Sequence, residues 1–278
     1  MAIAPDVVSH EQSYAREEKL NEATSQYGMT IDFDPEEIRK KYEAEKAKRD
    51  NNGGLGQYIR SKDVNIVHYD EDPYAKFPVE RLPVDAIFDV VIVGAGYTGL
   101  QVAARLIENG LTSICIIEKG SGVGGTWYWN RYPGLQCDIE SYIYMPLLED
   151  VGSKPSRKYA SGFELWQHAD RIAEKFGLKD RILFQTIVSK MSWVEEDAHW
   201  KIDTNRGDNI RARWTISASG PFHAPKFPGV PGIEKFQGKS FHSCRWDYDY
   251  TGGSFENPTL DKLADKTVVI IGTGATAI

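Results

Sequence analysis

Hydrophobic and polar positions change their spacing several times along the chain, and each change marks a predicted element. Residues 1–33 are polar and no period persists there. Asp34-Pro35-Glu36-Glu37 then reads as a helix start: Asp caps, Pro takes the first helical position, and two acids face the positive end of the dipole. The pattern predicts a helix to Arg49 that stops at Asn51-Asn52-Gly53-Gly54. Its apolar positions are sparse (Ile38, Tyr42, Ala44, Ala47), so it is expected on a surface or as a partner-docking arm. Residues 55–83, punctuated by Pro73, Pro78 and Pro83, read as extended linker.

From Phe88 the pattern becomes that of a buried core. Asp89-Val90-Val91-Ile92-Val93 is a continuous apolar run of strand length, as a parallel strand covered on both faces requires. It enters Gly94-Ala95-Gly96-Tyr97-Thr98-Gly99, followed by a helical stretch (Leu100, Val102, Ala103, Leu106, Ile107) that ends at Asn109-Gly110. A second apolar run, Ser113 to Ile117, closes on Glu118, completing a βαβ unit of about thirty residues. Ser161-Gly162-Phe163-Glu164 has the spacing of a capping box. The helix behind it carries Phe163, Trp166, Ala169, Ile172 and Phe176 on one face and stops at Gly177. Between Ile182 and Ile216 the period falls to two, predicting a β-meander over Leu183–Val194, His199–Thr204 and Ile210–Ile216. Pro221 to Pro231 reads as loop. Asp265 to Ile271 is a further buried-strand pattern that runs into Gly272-Thr273-Gly274-Ala275-Thr276-Ala277-Ile278. A strand that opens a nucleotide-binding turn without its helix is expected of the front part of a longer protein.

Composition narrows the function classes. With 33 Lys and Arg against 40 Asp and Glu, the net charge of −7 argues against nucleic-acid binding. No apolar run reaches the roughly 20 residues of a membrane span. The start of the chain lacks the basic and apolar regions of a signal peptide, so a cytoplasmic home is expected. The cysteines, Cys115, Cys137 and Cys244, are too far apart for a zinc cluster or a disulfide framework. They also lack the close pair of a disulfide reductase.

The chemistry begins at Gly94-x-Gly96-x-x-Gly99. Gly94 permits a tight turn, Gly96 admits a pyrophosphate to the backbone, and Gly99 lets helix and strand pack closely. The helix N-terminus, which includes Thr98, favours the negative charge. Glu118 would accept hydrogen bonds from adenosine ribose hydroxyls and repel a 2′-phosphate, so the expected ligand is FAD or NAD rather than NADP. Downstream, Gly124-Gly125-Thr126-Trp127-Tyr128-Trp129 leads to Tyr132-Pro133-Gly134-Leu135-Gln136-Cys137-Asp138. Read alone, this is either a flat aromatic wall for a ring system or an aromatic core segment. Asp138 at its end would be a costly charge unless paired.

Two long signatures add a family to this reading. Gly124-Gly125-x-Trp127-x4-Tyr132-Pro133-Gly134-x3-Asp138 resembles the second signature of Baeyer–Villiger monooxygenases. Phe236-x-Gly238-x3-His242-x3-Trp246-Asp247 is similar to their fingerprint at every fixed position. Trp246-Asp247 favours the ketone-oxidising branch over flavin monooxygenases that oxidise nitrogen or sulfur. The segment Gly53 to Tyr58 resembles the arm of long-form members that act on bulky cyclic ketones. The resemblance spans residues 85–278.

The resemblance implies an α/β fold: a Rossmann-like FAD-binding domain with an inserted β-meander, then the start of a Rossmann-like NADP-binding domain. The expected boundaries are an arm and linker at 1–83, the FAD-binding part at 84–235, the fingerprint linker at 236–264 and the NADP-binding start at 265–278. The implied cofactors are FAD and NADPH, and the implied partners are O2 and a small-molecule ketone. The reaction inserts one oxygen beside the carbonyl through a flavin C4a-peroxide, giving an ester or lactone. Thr126 to Trp129, Asp138, Ile139 and Tyr144 fall where the family surrounds flavin. Gln136, Cys137, Asp138 and the run from Gly272 through Thr273, Gly274, Ala275, Thr276 and Ala277 to Ile278 fall where it touches NADP. Asp138 corresponds to the carboxylate that orients a peroxide-stabilising Arg, expected beyond Ile278, so this chain alone is expected to be inactive. His242 belongs to the linker between nucleotide domains, either as a neutral hydrogen-bonded structural residue or in proton transfer. The other class left open is a nonenzymatic flavin-binding fragment.

Overall fold

The computed structural model describes residues 33–51, 53–60, 69, 71–272 and 274–277. The chain divides into two compact units, through Gln57 and from Tyr58. In the first, α1 (Pro35–Asn51) starts where Asp34 Oδ1 accepts the Glu36 N–H at 2.8 Å. Ile38 and Tyr42 are exposed, and Glu36–Arg39 and Glu45–Lys48 pairs one turn apart line its surface. The expected polar start at 1–33 lies, except for Phe33, outside the described residues.

The second unit begins with β1 (Tyr58–Arg60), β2 (Asp85–Val93), α2 (Tyr97–Glu108) and β3 (Ile114–Ile117). Three single-turn helices follow: α3 (Thr126–Trp129), α4 (Ser141–Tyr144) and α5 (Leu148–Val151). Then come α6 (Gly162–Lys175), β4 (Ile182–Leu183), β5 (Val188–Val194), β6 (His199–Thr204), β7 (Asn209–Ser217), β8 (Lys226–Pro228) and α7 (Tyr248–Thr251). Six strands form one sheet in the order β4-β3-β2-β7-β6-β5; β4, β3, β2 and β7 are parallel, and β7, β6 and β5 antiparallel.

The continuous apolar run of β2 has its reason in this arrangement. Val90 and Ile92 join Leu100 and Ala103 of α2, Ile114 and Ile116 of β3, and Ala169, Ile172 and Ala173 of α6 in one core. Val91, one step out of phase, joins Cys115 and Ile117 with Ile202, Ile210 and Ala212 of the meander in a second. A third cluster gathers Trp127, Leu135, Cys137, Met145, Ala160 and Leu165.

The structure departs from the sequence pattern at four places. The stretch 55–83 is not only linker: β1 pairs antiparallel with β8, itself inside the segment read as loop. Leu183–Val194 is two strands, because Gln185 turns the chain at φ +48 between β4 and β5. Half of the α6 capping box forms: Ser161 Oγ accepts the Glu164 N–H at 3.3 Å, while the Glu164 carboxylate turns to Ser156. The deeply buried residues of α6 are Leu165, His168, Ala169, Ile172 and Ala173, with Phe163 and Trp166 half-buried against Phe255. Lastly, Asp265–Ile271 forms no strand. Val268, Val269, Ile270 and Ile271 are all more than half exposed, in a segment outside both sheets. A strand needs a neighbouring ladder for its N–H and C=O groups, and this segment has none.

One buried ion pair fastens the approach to β2. Arg81 grips both oxygens of Asp208 at 2.6 Å, and Asp208 also accepts from the Val84 N–H (2.7 Å) and Thr204 Oγ1 (2.5 Å). These donors hold the Asp208 carboxyl well below the usual carboxylate range, the Arg81 hydrogen bonds contributing most. A depressed folded-state pKa adds stability above the unfolded value near 3.9, and that stability is lost as pH falls through the folded value. Asp208→Asn should therefore cost about 3 kcal/mol at pH 7 by leaving Arg81 unpaired. It should also flatten the loss of stability below about pH 4. Denaturant melts of both proteins between pH 3 and 7 check this; parallel pH profiles would refute it.

Candidate flavin-binding site

Two glycine-rich turns from separate parts of the chain meet. Gly94, at φ +108, follows β2, and a Cβ there would lie 2.7 Å from Ala218 O. A Cβ on Gly99 would lie 2.0 Å from Gly94 O, so α2 can approach its own strand this closely only with glycine. Gly124 N–H donates to Ala95 O at 2.9 Å, joining the second turn to the first. Gly125, at φ +54, faces Gly96 so closely that a Cβ on it would sit 2.9 Å from the Gly96 Cα.

Glu118 stands beside this junction. It is 5% exposed, and its two oxygens accept from the backbone N–H groups of Ala95 and Gly120, each at 2.7 Å. Burial pushes its carboxyl above the ordinary 4.5, opposed by those two hydrogen bonds. No side chain caps the start of α2, and Thr98 is exposed in its first turn. The junction thus offers a bare backbone approach, a helix N-terminus without a side-chain cap and a carboxylate fixed at a strand end. These are the requirements for holding a dinucleotide, so the residues fit FAD.

The aromatic segment builds a wall behind the second turn. Trp127, Tyr128 and Trp129 of α3 are buried, while Thr126 is half-buried. Trp127 Nε1–H donates to the Tyr144 hydroxyl at 3.0 Å, and the two rings meet edge to face. Tyr97 packs on Tyr144, and its own hydroxyl donates to Leu165 O. Burial raises both phenols, so both hydroxyls are protonated at physiological pH. Cys137 is buried in this cluster with a thiol raised by burial; Gln136 is exposed and bridges to Ser161 through its backbone. Asp138 does not end a dry wall. It is exposed, as is Ile139, and water meets the solvation cost that the sequence pattern assigned to a partner.

The fingerprint is knitted to itself and to residue 69. His242 is half-buried; its Nδ1 accepts the Cys244 N–H at 3.1 Å, its own N–H donates to the Tyr69 hydroxyl, and its ring stands edge-on to Phe227. Burial, with Arg245 nearby, lowers its pKa, so the ring is neutral. Asp247 caps α7 and pairs with Lys239 at 2.5 Å, while Trp246 Nε1–H donates to Thr251 Oγ1.

The second expected nucleotide turn is not assembled with the first. Gly272 has φ +120 on an exposed stretch, and Ala275–Ala277, which includes Thr276, is one 3-10 turn after Gly274. Thr273 and Ile278 lie outside the described residues. Four side chains beside the wall carried no motif: Tyr69, Asp72, Tyr74 and Arg131. The Arg131 guanidinium lies 3.4 Å from the Tyr74 ring centre, with Tyr128, Trp166 and Phe255 around it. Only the arginine in the aromatic segment was a visible signal.

Comparison with known proteins agrees with this geometry. Residues 91–278 match the family described as pyridine nucleotide-disulphide oxidoreductase. Baeyer-Villiger monooxygenase ATR8 of Stachybotrys chlorohalonatus is 54% identical over 248 residues, covering 89% of this chain and 40% of the relative. The polycyclic ketone monooxygenase of Thermothelomyces thermophila superposes with a TM-score of 0.77 at 44% identity, over 87% of this chain and 41% of that one. A complex of OTEMO with FAD and NADP gives a TM-score of 0.60 at 36% identity, over 70% and 36%. The chain thus spans about 40% of the length of the curated relatives it matches. It belongs to the pyridine nucleotide-disulphide oxidoreductase family, and the relatives it resembles over most of its own length are Baeyer–Villiger monooxygenases.

Proposed function

We propose that this chain carries the FAD-binding site of an NADPH-dependent monooxygenase that converts a ketone and O2 to an ester or lactone. The observation that carries the reading is the contact of Gly96 with Gly125 beside the buried Glu118 carboxylate. Glu118 holds the adenosine ribose, the start of α2 and the glycine turns take the pyrophosphate, and Trp127, Tyr144 and Tyr97 shield the flavin side from water. Bound FAD, reduced by NADPH, supplies the electrons that activate O2, one oxygen atom entering the ketone and the other leaving as water. In the same reading the exposed Asp138 orients a cation near the flavin, and Gly272 to Ala277 receive NADPH. In this reading residues 84–235 are flavin-binding, 236–264 connect, and 265–278 open the NADPH site. Among the described residues no helix is long and apolar enough to cross a membrane.

The cysteines do not support disulfide chemistry. All three are free and buried, and burial pushes Cys115 up to about 12 and Cys244 to about 11, so neither is a thiolate at neutral pH.

Purified protein should carry or take up FAD, giving a protein-bound flavin spectrum. Joined to the C-terminal part of a relative such as ATR8 and given NADPH with a panel of ketones, thioethers and amines, it should yield lactone or ester from the ketones, while residues 1–278 alone should bind FAD without turnover. Sulfoxide or N-oxide alone would move it to the nitrogen- and sulfur-oxidising branch; absence of flavin binding would end the proposal.

Two variants test the site itself. Gly125→Ala puts a methyl against the Gly96 backbone at a left-handed φ, and should cost about 1–3 kcal/mol of stability together with FAD binding. Calorimetric melting with a flavin titration reads both. Glu118→Gln keeps the size but loses one of two acceptors, and should weaken FAD about tenfold at pH 7. Because the Glu118 pKa is raised, wild-type affinity should begin to fall as pH drops while still above 4.5, and the Gln variant should show no such fall. Equal pH profiles for the two proteins would show that Glu118 is not the titrating group.

A further inference from the structure

Asp72 comes from the segment that the sequence pattern left as linker, yet it is tied into the loop that follows Glu118. Its Oδ1 accepts the Tyr74 N–H at 2.9 Å, a local turn that fixes the carboxylate's direction. Its Oδ2 takes two donors from across the fold: the Ser121 N–H and the Tyr128 hydroxyl, each at 2.7 Å. Ser121 Oγ and the Tyr128 hydroxyl lie 2.6 Å apart and close the triangle.

The Tyr128 ring under this triangle is 3% exposed and shapes the backbone above it. A Cβ on Gly120 would fall 2.9 Å from Tyr128 Cε1, and one on Gly122 would fall 2.7 Å from Cε2, so the loop lies directly on the ring. The same Gly120 donates its N–H to Glu118 Oε1. An unbroken path therefore leads from Asp72 through the Tyr128 hydroxyl and Ser121 N–H to the loop that orients the Glu118 carboxylate. Tyr74 covers the path from outside, its ring edge-on to Tyr128 at 5.6 Å.

We infer that Asp72 is a positioning residue for the adenosine half of the flavin site, holding the 120–122 loop and hence Glu118 in the conformation that binds the ribose. The inference rests on the FAD assignment above and adds to it the residue that sets the ribose carboxylate. Two charge-assisted hydrogen bonds on one carboxylate oxygen are strong enough to matter. Since one acts on the loop and the other on the Tyr128 ring beneath it, and neither ends on Trp127 or Tyr144, their loss falls on one half of the cofactor.

The test is titration of the apoprotein with FAD and, separately, with ADP as a probe of the adenosine half. Asp72→Ala should weaken both about tenfold. At saturating FAD its flavin absorption envelope should remain that of the wild type. Asp72→Asn should recover part of the affinity, because one amide oxygen can accept from both donors. Tyr128→Phe removes only a hydroxyl and should weaken both ligands less; combined with Asp72→Ala it should add little, since both act through one path. If Asp72→Ala fails to fold, the Tyr128→Phe pair of titrations carries the same decision. Unchanged ADP affinity in Tyr128→Phe and Asp72→Ala, or a flavin envelope altered while ADP binding is retained, overturns the inference and leaves the FAD assignment standing. A wild-type protein that binds neither FAD nor ADP overturns both.

Discussion

The site depends on one contact from which side chains are excluded, that of the Gly96 and Gly125 backbones. A Cβ on Gly125 would lie 2.9 Å from the Gly96 Cα, and one on Gly96 would already touch the Gly125 Cα at 3.5 Å, so the two backbones meet directly. The helices α2 and α3 start from this point, and the end of β3 delivers Glu118 beside it. Glu118 then ties Ala95 of the first turn to Gly120 of the loop leading into the second. The aromatic wall follows as a consequence, because a second turn held this close leaves Tyr144 packed against both Trp127 and Tyr97.

Three buried charges show how differently the fold solves one problem. Asp208 is neutralised by a two-pronged arginine, the stiffest available partner. Glu118 has no cation among its hydrogen-bond partners and rests on two backbone N–H groups, which is why burial still dominates its shift. Arg131 is held over aromatic faces, with Nε–H donating to Tyr128 O, and burial lowers its pKa. The ion pair anchors the strand entering the sheet. The carboxylate at the candidate site is held by backbone N–H groups with no cation bonded to it, as suits a group that would receive a ligand's hydroxyls.

The parts legible in the sequence were those with local causes. The β2 run, the Gly94 turn and the Glu118 position follow from period, glycine freedom and spacing within one βαβ unit, and the structure reproduces them. The meander was legible from its period of two, though not its split at Gln185, where a non-glycine residue takes a left-handed turn held by tertiary hydrogen bonds to Phe77 and Val79. The glycine motifs at 94–99 and 124–125 were each visible, but nothing in their spacing says that Gly96 and Gly125 touch. The segment from 58 to 74 was illegible for a stronger reason. Its three-residue strand and its Asp72 carboxylate gain meaning only from partners more than forty residues away. The Asp265–Ile271 run errs the other way: its composition is that of a buried strand, and a strand forms only where a ladder exists to receive it.

The fingerprint is mechanically continuous with the aromatic wall. The Arg245 guanidinium lies 4.9 Å from the Trp129 ring centre and donates to the carbonyls of Trp129, Cys244 and Tyr69. Tyr69 also receives the His242 N–H, and Phe227 of β8 touches both the Tyr69 and His242 rings. The residues before β2 thus reach the fingerprint through Tyr69, bonded to His242 and Arg245, and through Phe227 of β8, the strand that pairs with β1. A displacement of Arg245 must break its hydrogen bond to Trp129, the last residue of α3, or carry Trp129 along. The connection between the fingerprint and the wall therefore runs through the Arg245 side chain, by one hydrogen bond and one cation–ring contact, so a rearrangement of either has to pass through it.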